Sequence, residues 1–126
     1  MTPTLNEGVG MDMAMLKIFK RYFKLKSEMN EIETTVKNFG FKNIEECLLL
    51  LTLAESKHPM LREELAKQIN IHGAVASRHL INLDSAKLIK QSDDPTDTTH
   101  NTLRRQIYTP TAKGIDLVAK LKSQLQ

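Results

Sequence analysis

The sequence predicts a mostly α-helical domain carrying one small β-hairpin. Three observations support this. A heptad-spaced apolar seam runs from Met11 to Phe39. Two short amphipathic segments, near 61–69 and 73–87, are separated by a short break, Asn70-Ile71-His72. Two β-type segments, near 88–92 and 104–109, flank a tip rich in Asp, Thr, Pro, His and Asn, the composition of an exposed turn. The 126 residues suit one domain, and 40% hydrophobic residues suffice for a core.

Residues 1–10, with Pro3, Gly8 and Gly10, read as a flexible lead-in. In the seam, Met11, Met15, Ile18, Tyr22, Leu25, Met29, Ile32, Val36 and Phe39 alternate spacings of four and three, the heptad pattern. A helix over 11–39 would be about 43 Å long. That exceeds what so small a domain can cover, so the seam is expected to meet a second chain rather than only its own core. Gly40 ends the helix. Asn43 with Glu46 forms a capping box that opens a helix over 44–56, whose Cys47-to-Ala54 run is apolar nearly all round and reads as the central buried helix. His58-Pro59 stops it. Leu61, Leu65 and Ile69 share one face of the next helix, which lacks a good N-cap. In the helix over 73–87, Ala76, Leu80 and Leu83 point inward. Gly73, Ala74, Ser77, Arg78 and Ile81 lie opposite. Thr111 caps a last helix over 112–125.

Composition narrows the function. No apolar run approaches the ~20 residues that span a membrane, and the N-terminus lacks the basic and apolar blocks of a signal peptide. The single cysteine rules out an internal disulfide and suits a cytoplasmic protein. Cys47 reads as an inert core thiol or, alternatively, a sensor thiol. Only Glu45 and Glu46, and no cation, lie within a turn of it. The net charge of +3 falls entirely in the second half: residues 1–60 balance, whereas 61–126 hold an excess of Lys and Arg. That bias suits a polyanionic partner.

Two helices across a short break, followed by a β-ribbon, are the parts of a winged helix-turn-helix, which lays its second helix in the DNA major groove. The front of that helix must be small or polar to enter the groove. Gly73, Ala74, Ala76 and Ser77 meet this demand. Arg78 can pair its planar fork with guanine O6 and N7. Ser77 and the free amides at the helix start can hold a phosphate, and His72 at the cap can do either task. Arg104 and Arg105 start the returning strand and point to opposite faces, so one of them can meet DNA. Asp93, Asp94 and Asp97 lie close by, and an Asp97–arginine pair that stiffens the wing is the structural alternative.

The motifs Leu65-Ala66, Ser77-Arg78-His79-Leu80, Leu83, Leu88-Ile89, Asp94-Pro95-Thr96-Asp97 and Thr111-Ala112-Lys113-Gly114 resemble the MarR family of transcription regulators over residues 11–125. Three positions depart from its pattern. Lys87 stands at the usual glycine. Thr99 stands at the usual wing arginine, with Arg104 following after an insertion. Pro110 stands at the usual leucine. The resemblance implies a cytoplasmic homodimer whose first and last helices intertwine. That assigns Met11, Met15, Ile18, Tyr22, Leu25, Val118, Leu121 and Leu125 to the interface, and 44–110 to the DNA-binding lobe. It also implies a repressor that binds double-stranded, pseudo-palindromic DNA through the 73–87 helix and the 90–109 wing, with a small-molecule effector. The Ser-Arg-His-Leu run is similar to the ArsR metal sensors too, but one cysteine and the scattered His58, His72, His79 and His100 argue against a metal site, and no cofactor is expected. The competing class is a winged-helix protein-interaction module, an antirepressor or assembly adaptor. No catalytic motif supports an enzyme.

Overall fold

The computed structural model describes residues 5–97 and 105–125, with side chains from Met13 onward. Among the described residues five helices and three strands follow in chain order. They are α1 (Leu5–Asn38), α2 (Ile44–Glu55), β1 (Met60–Leu61), α3 (Arg62–Ile69), α4 (Gly73–Ser85), β2 (Ile89–Asp93), β3 (Gln106–Pro110) and α5 (Ala112–Leu125). The chain divides into two compact units, Met1–Thr34 and Thr35–Gln126.

The first unit is the greater part of α1. The helix begins at Leu5 rather than near Met11, so the expected lead-in is helical from residue 5 onward. Adding a residue to an existing helix costs little compared with starting one, which carries the element through Gly8 and Gly10. Along it Met15, Leu16, Ile18, Phe19, Tyr22, Phe23, Leu25, Met29 and Ile32 are all exposed. Tyr22 and Phe23 pack edge to face, with ring centroids 5.5 Å apart.

The second unit is built around α2. Leu49, Leu50 and Leu53 are buried together with Leu65 of α3, Leu80 and Leu83 of α4, Met60, Ile89, and Val118 and Leu121 of α5. Val36 and Phe41 close one end. Leu48 departs from the expectation of an all-buried helix: it is exposed. Val118 and Leu121 correct the sequence reading. Their relative exposures are 4% and 1%, so the stripe of α5 expected at a subunit interface is spent on the chain's own core. Leu125 and Ile115 remain exposed on that helix.

The sheet has three strands in the order β1-β3-β2, all antiparallel. β1 is a strand the sequence did not reveal; Met60 pairs with Tyr108 and Leu61 with Ile107. Two residues are too few for alternation to show. Pro110, which has no N–H to donate, takes the last position of β3 opposite Ile89.

Three helices end in the same way. Beyond α1, Gly40 has φ +95°; its amide donates to the Lys37 carbonyl and the Phe41 amide donates to Val36. Beyond α3, Asn70 (φ +59°) and Ile71 donate to Lys67 and Ala66. Beyond α4, Lys87 (φ +62°) and Leu88 donate to Asp84 and Leu83. Each is a Schellman motif, which satisfies orphan carbonyls through one left-handed residue. The left-handed backbone is therefore kept at Lys87, where a glycine would adopt it freely.

The start of α5 is locked to the end of α4. Thr111 Oγ1 donates to the Lys87 carbonyl at 2.7 Å and accepts from the Gly114 amide at 3.0 Å. Lys113 Nζ donates to the Ala86 carbonyl at 3.0 Å. A Cβ on Gly114 would lie 2.1 Å from the Leu88 carbonyl oxygen, so only glycine permits this approach.

Candidate nucleic-acid interface

The expected reading helix is α4, two residues shorter at its end than the sequence reading because the Schellman turn takes over at Ala86 and Lys87. Ala76, Leu80 and Leu83 are buried, and this fixes the rotation of the helix. The opposite face then carries Ala74, Arg78 and Ile81, all exposed, with Gly73 and Ser77 half-buried beside them. These positions recur at three- and four-residue spacing, so they line one face. His72 is the N-cap residue, exposed, with an extended backbone and no side-chain capping bond. The first amides of α4 therefore have no side-chain cap, as a helix start that receives an anion would require.

Ser77 is engaged by a residue the sequence reading missed. Arg62, the first residue of α3, donates from Nη1 to Ser77 Oγ at 3.0 Å, and its Nη2 lies 3.2 Å from Glu63 Oε1. Its Nε lies 3.9 Å from where a Cβ on Gly73 would stand. The small front of α4 thus leaves room for an arginine from the neighbouring helix. A cation in the first turn of a helix opposes the helix dipole, and this signal was present in the sequence.

Buried polar groups anchor α4 to α2. His79 is 6% exposed, with Nδ1 3.7 Å from Glu46 Oε2 and Nε2 3.8 Å from Glu45 Oε2. Glu46 Oε2 accepts from Asn82 Nδ2 at 2.9 Å. The capping box at Asn43 is half realised. Asn43 Oδ1 accepts the Glu46 amide at 2.9 Å, but the Glu46 side chain reaches the Lys42 amide at 3.2 Å rather than that of Asn43. His79 therefore serves the packing of α2 on α4. Among the described residues no group of three His, Cys, Asp or Glu is placed to hold a metal ion.

In the wing, Asp94 and Asp97 are buried. Asp94 Oδ1 accepts from the Thr96 amide at 3.0 Å and its hydroxyl at 2.8 Å. Asp97 Oδ2 accepts from the Arg105 backbone amide at 2.9 Å. Its contact with Arg105 is to the main chain. Asp93 Oδ1 accepts from Gln106 Nε2 at 2.7 Å. These acids build the turn, and the Arg105 side chain is exposed. Arg104, Thr99 and His100 lie outside the described residues, as does the side chain of Met11. Cys47 is buried, and burial pushes its thiol up to about 11.

No family profile and no curated protein matches this sequence. Solved structures do. AbfR in its disulfide-formed state is 20% identical with a TM-score of 0.80, over 98% of this chain and 80% of that one. MepR, a transcription regulator of the Staphylococcus aureus multidrug efflux pump MepA, is 23% identical with a TM-score of 0.71, over 85% and 76% of the two chains. A point mutant of S. aureus MepR bound to an oligodeoxyribonucleotide is 25% identical with a TM-score of 0.69, over 84% and 75%. The chain has the MarR-family fold. Within the MarR fold the long first helix, the buried second helix and the winged unit stand in the order that the sequence motifs implied. No helix of the described residues is long and apolar enough to cross a membrane.

Proposed function

We propose that this protein is a DNA-binding transcription regulator that acts as a homodimer and reads a pseudo-palindromic operator. The observation that carries the reading is the outer face of α4. It is held outward by three buried side chains, carries an exposed arginine among small residues, and is followed by a wing with an exposed Arg105. A related MepR mutant was solved on DNA with this fold. The wing's acids speak for DNA rather than for protein docking alone, because Asp93, Asp94 and Asp97 are taken up by hydrogen bonds in the turn.

The homodimer is supported by α1. Its heptad seam is exposed from Met15 to Ile32, and a continuous apolar stripe of this length is otherwise costly to leave in water. Val118 and Leu121 drop out of the interface, leaving Met15, Ile18, Tyr22, Leu25 and Leu125 from the residues assigned to it. Repression, by occupying a promoter from the cytoplasm, is the mode the resemblance implies. A small-molecule effector has room in a cleft of about 580 Å3 lined by Leu48, Leu51, Glu55, Lys57, His58 and Met60.

The test is DNA selection from a random pool, followed by binding at graded salt. A palindrome with half-sites about one helical turn apart is expected. Affinity should fall with salt at a slope near −0.9 per neutralised phosphate. Arg78→Ala should cost about 1–3 kcal/mol on the selected site and relax sequence preference. Absence of any DNA binding at ~50 mM salt would overturn the reading.

A further inference from the structure

Ile81 is the most exposed large apolar side chain among the described residues, at 65% relative exposure. It lies on the outer face of α4, one turn beyond Arg78. On that helix it is the single exposed large hydrophobic, flanked by Ala74, Ser77 and Arg78. A stable protein interface needs about 800 Å2 per partner and a contiguous apolar centre. One isoleucine beside an arginine offers neither. A base edge in the major groove needs far less: thymine alone presents a methyl group there, and one apolar side chain suffices to cover it. Among the described residues no carboxylate pairs with Arg78, so its fork is available to a guanine.

We infer that Ile81 reads a thymine methyl group next to the guanine read by Arg78. The inference rests on the DNA-binding reading above and deepens it by naming part of the operator's chemistry. Side chains three apart on a helix stand about 5–6 Å from each other, and successive base pairs about 3.4 Å. The thymine therefore falls within about two base pairs of the guanine. Ala74, one turn on the other side of Arg78, is too short to compete for that methyl from its end of the face.

The experiment uses the full chain and its selected duplex. Each thymine within two base pairs of the Arg78 guanine is replaced in turn by deoxyuridine, which removes only the methyl group. Binding is read by fluorescence anisotropy. One replacement per half-site should weaken the wild-type complex about fourfold, the worth of one buried methyl-sized group. Ile81→Ala should weaken binding to the thymine duplex and abolish the difference between thymine and deoxyuridine; Ile81→Val, which keeps a branched methyl, should retain it. The exposure of Ile81 lets both variants fold, which circular dichroism checks. If the wild type binds its operator but is indifferent to every deoxyuridine, or if Ile81→Ala keeps the full penalty, the inference is overturned while DNA binding stands. If the wild type selects no DNA, both fall.

Discussion

Arg62 of α3 donates from Nη1 to the Oγ of Ser77 on α4 at 3.0 Å, joining the two helices of the helix-turn-helix near the front of α4. The arginine is 45% exposed and shares its charge with Glu63, itself 61% exposed. An exposed ion pair of this kind contributes about 0–1 kcal/mol. Arg62 is therefore better placed as a cation at the edge of the interface than as a brace of the fold.

Arg62→Ala should leave thermal stability within about 0.5 kcal/mol of the wild type. It should weaken DNA binding by a similar factor on all sequences and lower the salt slope by about 1, the signature of a lost phosphate contact. A slope equal to that of the wild type would return Arg62 to a purely structural role.

The exposed seam of α1 yields a second prediction. Met15→Lys and Tyr22→Lys together should convert the proposed dimer to a monomer in analytical ultracentrifugation, because buried like charges without partners cost several kcal/mol. A dimer that survives both changes would move the interface away from this helix.

Two glycine-related positions should respond in opposite ways. Lys87 holds a left-handed backbone at φ +62°. Lys87→Gly should therefore raise stability by about 1 kcal/mol, as strain is relieved at a modest entropic cost. Gly114→Ala should lower it by about 3 kcal/mol or prevent folding, because the new methyl meets the Leu88 carbonyl. Chemical denaturation measures both.

Cys47 is expected to be inert to oxidation. Its thiol is buried and pushed up to about 11, so almost no thiolate exists at neutral pH. DNA binding should be unchanged by peroxide, and the thiol should react with Ellman's reagent only after unfolding. The raised value also sets a sign for stability. The unfolded thiol ionises near 9 and the folded one near 11, so stability is level below about pH 9 and falls as pH rises from there. Rapid labelling of the native protein at pH 7 would contradict this. AbfR was solved in a disulfide-formed state, whereas this chain has one cysteine and cannot form that bond within itself.

The helices were legible because their signals are local. Seam spacing, the Asn43 cap, the Thr111 cap and the inward Ala76, Leu80 and Leu83 each follow from residues within a turn or two. Lys87 was legible as a departure, but its left-handed φ was not, since that depends on the Asp84 and Leu83 carbonyls that the Lys87 and Leu88 amides satisfy. β1 and the Arg62–Ser77 bond were invisible for a related reason. Their partners lie far off in the chain, and two residues or one arginine leave no period to detect.

By itself the sequence determined the order of the helices and the wing hairpin, the face of α4 turned outward and the chemistry offered there, because helical periodicity and side-chain type decide them. Tertiary packing decided the rest. It took Val118 and Leu121 into the core, turned Asp94 and Asp97 inward onto backbone amides and brought Arg62 to Ser77. Those outcomes depend on which distant surfaces compete for the same apolar area and the same hydrogen bonds, and no local pattern records that competition.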